Sequence, residues 1–180
     1  MTKATGKVPK VLDHYATHLD DFYEKGHGLL LLGPAGRGKS YLAAAMLNAA
    51  VPKYRVRYIP LARLIRLVQD GFEASGKDYE KYDSIRTELV GMRNYIDFLV
   101  IDDVGKEYRS TTGFAQAEFD YTLRYRFDAG LPTIMTSNLS LDEWGEVYGA
   151  PMMSFVHEAC VIVALDGELP DLREVRVRGA

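Results

Sequence analysis

A single cysteine in 180 residues excludes any disulfide framework within the chain. Cys160 sits among Ala159, Val161, Ile162 and Val163, a setting that suits a buried thiol better than a nucleophile. No apolar run approaches the roughly 18 residues that a membrane-spanning helix needs, and residues 1–10 lack the apolar centre of a secretory signal. Read alone, the sequence therefore points to a cytoplasmic protein with no membrane partner. Positive charge is not in excess either: the formal net charge is -3, so no overall basic field exists to attract nucleic acid, and any DNA contact must be a local patch. Internal repeats and low-complexity segments are missing as well. What remains is 47% apolar and 26% charged, the make-up of a folded soluble chain long enough for one well-buried core and too short for two typical domains.

The most informative stretch is Gly33-Pro34-Ala35-Gly36-Arg37-Gly38-Lys39-Ser40. It satisfies G-x-x-x-x-G-K-[ST], follows the apolar run Leu29 to Leu32 and opens into the helix-forming run Tyr41 to Met46. Glycines in such a loop let consecutive backbone N–H groups turn inward on one anion, while the helix adds its positive end and the lysine a full charge. Ser40 is then placed to ligate Mg²⁺. A Gly-rich turn that merely caps a helix is the competing reading.

Upstream, residues 1–10 read as a polar lead-in, and Val11 to Lys25 as a short amphipathic helix that Gly26 ends. His14 and His18 share one face of it, but a structural zinc site wants more ligands, so solvated histidines are the expectation. Downstream, helix Ser40 to Ala50 ends at Pro52, and Arg55 to Pro60 is a second strand. Leu61 to Val68 traces a helix that Gly71 is expected to close, and Lys77 to Asn94 a charged, partly exposed one. Ile96 to Ile101 is an apolar strand ending in Asp102 and Asp103. Carboxylates at the carboxyl end of a buried strand are costly unless compensated, so a bound cation is their natural partner. Gly113 to Ala129 reads as a helix, Leu131 to Met135 as a fourth strand ending in Thr136-Ser137-Asn138, Leu141 to Tyr148 and Met152 to Ala159 as two short helices, and Cys160 to Leu165 as a fifth strand before a charged tail. Strands and helices alternate throughout, which implies an α/β fold with a parallel sheet between helices.

With the loop, Leu99-Val100-Ile101-Asp102-Asp103-Val104-Gly105 and Leu131-Pro132-Thr133-Ile134-Met135-Thr136-Ser137-Asn138-Leu139 in view, the sequence resembles the AAA+ ATPases of the DnaC/IstB type. These are bacterial and phage replicative-helicase loaders, together with transposition helper ATPases. The likeness runs from about Gly28 to Arg173, and Asp102 through Arg109 looks most like the phage and Gram-positive loader branch. It implies a P-loop NTPase core with a five-stranded parallel sheet and little or no lid: a lead-in and helix over 1–27, an ATP-binding domain over 28–173 and a tail over 174–180.

Carried over residue by residue, the resemblance makes Gly33, Pro34, Ala35, Gly36, Arg37, Gly38, Lys39, Ser40 and Tyr41 the ATP or ADP cradle. Ser40 and Asp102 become the Mg²⁺ side, Asp103 the acid that polarises the attacking water, and Asn138 the sensor 1 amide that holds this water against the γ-phosphate, with Lys39 on the phosphates. Most AAA+ proteins place Glu where this chain has Asp103. Arg173 falls at the sensor 2 position, a solvated tail arginine being its plainer reading. The implied partners are a hexameric replicative helicase, single-stranded DNA met by such groups as Arg55, Arg57, Arg63 and Arg66, and further copies of the chain.

Two departures qualify this. Gly149 to Glu158, where loaders carry arginines that reach a neighbour's nucleotide, has Pro151 and Phe155 instead, so weak intrinsic hydrolysis is expected, with Arg109, Arg124 or Arg126 as substitutes. With only about 25 residues before the first strand, either the short lead helix is expected to dock the helicase or the docking part lies outside this sequence, and no room is expected for a helical lid after the last strand. A transposition helper acting on duplex DNA, a small-molecule P-loop kinase and a non-hydrolysing nucleotide-switch adaptor remain as alternatives.

Overall fold

The computed structural model describes residues 8–90, 96–105 and 113–165. In chain order these build helices α1 (Val8–Thr17) and α2 (Leu19–Glu24), strand β1 (Gly28–Leu32), helix α3 (Lys39–Ala50), strand β2 (Val56–Pro60), helices α4 (Leu61–Glu73) and α5 (Lys77–Val90), strand β3 (Phe98–Val104), helix α6 (Phe114–Asp128), strand β4 (Thr133–Ser137), helix α7 (Leu141–Ala159) and strand β5 (Cys160–Ala164). Among the described residues the strands form one sheet, every neighbouring pair parallel, in the order β2-β3-β4-β1-β5. The carboxyl ends of β3, β4 and β1 therefore lie side by side. That is the crevice where open parallel sheets bind ligands.

The unbroken apolar run of β1 follows from burial on both faces, since alternate side chains serve opposite layers. Leu30 and Leu32 pack with Leu99, Ile101 and Met135 beneath α4, α5, α6 and α7. Leu29 and Leu31 pack with Phe98, Val100, Ile134 and Val163 beneath α1, α2 and α3. Each of these leucines is at most 1% exposed, and full burial of such a side chain contributes about 2 kcal/mol. Cys160, half-buried at the start of β5, has its thiol pKa pushed up to about 12 by its surroundings, as an inert structural cysteine should.

Three expectations need correction. The helix over Val11 to Lys25 is two helices, broken at His18, whose backbone leaves the helical region (φ -118°, ψ 36°). The Thr17 hydroxyl turns back to the Asp13 and His14 carbonyls there, offering the chain an alternative to continuing. Gly71 does not close α4, which runs on to Glu73. A Cβ on Gly71 would come within 3.2 Å of Tyr82 Cβ, so the glycine serves the close approach of α4 and α5. Finally, β3 does not stop at the aspartates but continues to Val104. The break expected near Gly149 is present inside α7, where that residue takes φ 79°, ψ 170°.

Candidate nucleotide-binding site

Strand β1 delivers the chain to Gly33, and α3 takes it up at Lys39. At Gly33 (φ 137°) a Cβ would sit 2.8 Å from the Leu165 carbonyl oxygen, so no larger residue fits the turn. Gly38 caps α3 in the left-handed region (φ 79°), where side chains are strained. The loop thus presents its backbone to the N-terminal end of a twelve-residue helix, whose unpaired N–H groups and dipole favour an anion. Pro34 and Ala35 are exposed, Gly36 and Arg37 half-exposed, and Tyr41 stands 68% exposed in the first turn of α3 beside them.

Lys39 is only 6% exposed. Its ammonium donates to the Gly33 carbonyl at 2.7 Å, the Pro34 carbonyl at 2.8 Å and Asn138 Oδ1 at 2.8 Å. The residue after β4 is thereby joined to the loop after β1. One residue along the helix, the Ser40 hydroxyl donates to Asp102 Oδ1 at 2.9 Å. Lys39, Ser40, Asp102, Asp103 and Asn138, scattered over 100 positions, meet at the ends of three adjacent strands. Arg173 and Arg109 lie outside the described residues.

Asp102 is 8% exposed and accepts a second bond from the Thr136 hydroxyl. The Tyr58 phenol of β2 stands close to the same carboxylate; burial, and then the neighbouring Asp102, hold its pKa well above the ordinary tyrosine range. Hydroxyl donors lessen but do not neutralise a buried negative charge, and an oxygen-rich pocket of this kind suits a hard divalent cation. Among the described residues no cluster of three or more acidic, histidine or cysteine side chains holds a metal unaided. Mg²⁺ fits the remaining case, in which one or two carboxylates and a hydroxyl share the ion with substrate phosphates.

Asp103 departs from strand geometry. Its φ is 61°, the one positive value among non-glycine residues described. The β3–β4 register slips at this point: Ile101 pairs with Met135, but Val104, not Asp103, pairs with Ser137. The extra residue is a β-bulge, which re-aims a side chain and removes an amide from the ladder. That amide donates instead to the Thr136 hydroxyl at 3.0 Å. Left unpaired and buried it would cost about 1–3 kcal/mol.

Residues 2–168 match the family of IstB-like ATP binding proteins. The chain belongs to that family. Over 171 residues it is 29% identical to the replicative helicase loader DnaI of Bacillus subtilis, covering 84% of this chain and 51% of that protein. Over 165 residues it is 27% identical to an ATP-binding protein of insertion sequence IS21 from Pseudomonas aeruginosa, covering 88% and 57%. The chain spans about half the length of these curated relatives. Among solved structures, the DnaC helicase loader superposes with a TM-score of 0.72 at 22% identity over 91% of both chains. DnaA of Aquifex aeolicus with bound AMPPCP does so at 0.68 and 18%, over 97% of this chain and 51% of that one. The fold is the AAA+ P-loop core, and the family to which the chain belongs is one of ATP-binding proteins.

Of the substitute arginines in this IstB-like chain, Arg126 is removed by the structure. It is fully buried, and its guanidinium donates to the carbonyls of Leu89 (2.8 Å), Ile96 (3.1 Å), Asp97 (3.1 Å) and Pro132 (3.1 Å) and to the Thr133 hydroxyl (2.9 Å). Burial pulls its pKa down to about 9, against the Asp97 charge, which still leaves it protonated at neutral pH. Arg124 is half-exposed, bonded to Asp120 at 2.8 Å and stacked 4.8 Å over the Phe155 ring. Of the basic patch, Arg55, Arg57 and Arg66 are each matched with an acid, Asp97, Glu88 and Asp70. Sequence reasoning missed Thr136 and Tyr58 altogether. The only signal for Thr136 was a hydroxyl two residues before Asn138, and it does not stand out on a strand that also carries Thr133 and Ser137.

Proposed function

We infer that this chain is the ATP-binding core of a protein that assists the loading of a replicative helicase onto single-stranded DNA, with weak ATP hydrolysis of its own. The observation that carries this reading is the 29% identity to a protein named as a replicative helicase loader, spread across 84% of the chain. The IS21 relative favours a second reading, a transposition helper on duplex DNA, at slightly lower identity. The difference between them lies in the partner. Capture of the purified hexameric replicative helicase on immobilised protein, dependent on ATP, is the expected result; capture of a transposase in its place selects the second reading.

In the proposed reaction the glycine loop and Lys39 bind the β- and γ-phosphates. Ser40 and Asp102 hold Mg²⁺, which supplies charge neutralisation to the phosphates when bound. Asp103, on its bulge, orients and polarises the attacking water, and Asn138 holds the same water against the γ-phosphate. An arginine supplied in trans is worth about a thousandfold or more in phosphoryl transfer. With Arg126 sequestered and Pro151 and Phe155 where such a residue would be sought, the isolated chain turns over slowly. Tyr41 and Arg173 complete the proposed nucleotide contacts, and 28–173 is the proposed extent of the ATP-binding domain.

A further inference from the structure

Two carboxylates on consecutive residues of a regular strand point to opposite faces of the sheet. Asp102 and Asp103 escape that rule through the bulge, and something must hold the bulge in one shape. A left-handed non-glycine residue persists only where its surroundings over-determine it. The surroundings converge on one hydroxyl. Thr136 is 1% exposed, on the neighbouring strand, and its oxygen both accepts the Asp103 amide at 3.0 Å and bonds Asp102 Oδ1.

The proton's direction is dictated. An amide N–H can only donate, and an ionised carboxylate can only accept, so the single hydroxyl proton of Thr136 is committed to Asp102 and a lone pair to Asp103. No other orientation satisfies both. The same Asp102 oxygen takes the Ser40 hydroxyl, so the chain of contacts runs from the phosphate loop through Asp102 and Thr136 to the backbone of Asp103.

We propose that Thr136 is the positioning residue of this site: one buried hydroxyl sets the metal-side carboxylate and the water-side carboxylate against each other. This rests on the ATP-hydrolysis reading above. Valine matches threonine in shape and removes the hydroxyl, whereas serine keeps the hydroxyl and removes a methyl group. The chemistry therefore separates from the packing.

The test compares Thr136→Val, Thr136→Ser and the unmodified protein by binding of a fluorescent ATP analogue without divalent ion, by Mg²⁺ titration of the nucleotide-loaded protein, and by single-turnover hydrolysis. Thr136→Val is expected to bind nucleotide normally without Mg²⁺ and to lose about 10- to 100-fold in Mg²⁺ affinity and in turnover, the usual cost of removing a group that orients a metal ligand. Thr136→Ser should stay within about threefold of the unmodified protein on all three measures. Normal Mg²⁺ affinity in Thr136→Val overturns the proposal, and so does a Thr136→Ser protein as impaired as Thr136→Val, which would make the residue's role one of packing. Unmodified protein that binds Mg²⁺-nucleotide but never hydrolyses it defeats the parent reading of an ATPase while the Mg²⁺ titration still decides the part played by Thr136. Unmodified protein that binds no nucleotide overturns both.

Discussion

The two ends of the β3–β4 pair hold their charges in opposite ways. At the amino ends, Arg126 is fully buried and spends its guanidinium on four backbone carbonyls and the Thr133 hydroxyl. At the carboxyl ends, Asp102 and Lys39 are nearly as buried, at 8% and 6% exposure, but their partners are hydroxyls, loop carbonyls and one side-chain amide. The first arrangement ties together segments that have nowhere else to go. In the second, the bonds of Lys39 to loop carbonyls and of Ser40 to Asp102 are ones that phosphate oxygens and a cation can take over, while Thr136 stays on Asp102 as the fixed partner. Burial of charge alone therefore does not separate a structural group from a functional one; the exchangeability of its partners does.

That contrast can be broken by substitution. Arg126→Leu strands the carbonyls of Leu89, Ile96, Asp97 and Pro132, and should lower folding stability by about 4 kcal/mol, read as a shifted denaturant midpoint with an unchanged slope. If it is neutral, the amino end is not a clamp. Lys39→Ala should fold normally yet lose ATP affinity by about 100-fold or more, as removal of charge-assisted hydrogen bonds worth about 1.5–3 kcal/mol each requires. Equilibrium binding with a labelled nucleotide measures it. Asp103→Asn should keep both stability and ATP binding, because Asn tolerates the left-handed region best of the non-glycine residues, while hydrolysis falls by about 100-fold. Equal turnover in this variant would take Asp103 out of the chemistry. Tyr58→Phe removes one donor beside Asp102 and should change Mg²⁺-dependent nucleotide affinity by no more than about 1 kcal/mol. A larger loss would place the phenol among the groups that hold the metal side together.

Much of this was legible in the sequence because it is periodic or local. The buried runs Leu29 to Leu32 and Phe98 to Ile101 announced parallel strands, and Gly33 to Ser40 is a contiguous pattern whose glycines have steric reasons to be there. The break at Gly149 was visible for the same local reason. What was hidden depends on the strand next door. Nothing in Asp102-Asp103 itself reveals a bulge, since the slip is defined only against Met135 and Ser137 of β4. Arg126 reads as one more arginine on a helix until the Leu89, Ile96 and Pro132 carbonyls are placed around it. Gly71 reads as a helix stop until Tyr82 is seen packed on it. Local rules found the elements, and only tertiary neighbours decided which polar residues were scaffolding.

The short link from β4 to α7 carries a mechanical consequence. Ser137 donates to the Val104 carbonyl at 2.7 Å and accepts the Leu139 amide at 3.2 Å, and Ser140 caps α7 through reciprocal bonds with Glu143. The backbone of Asn138 is thus held between the end of a strand and a capped helix start. On its far side α7 begins with two turns that carry the buried Trp144 and end at Gly149, where the backbone leaves the helical region, so the segment next to Asn138 is a short helical arm of its own.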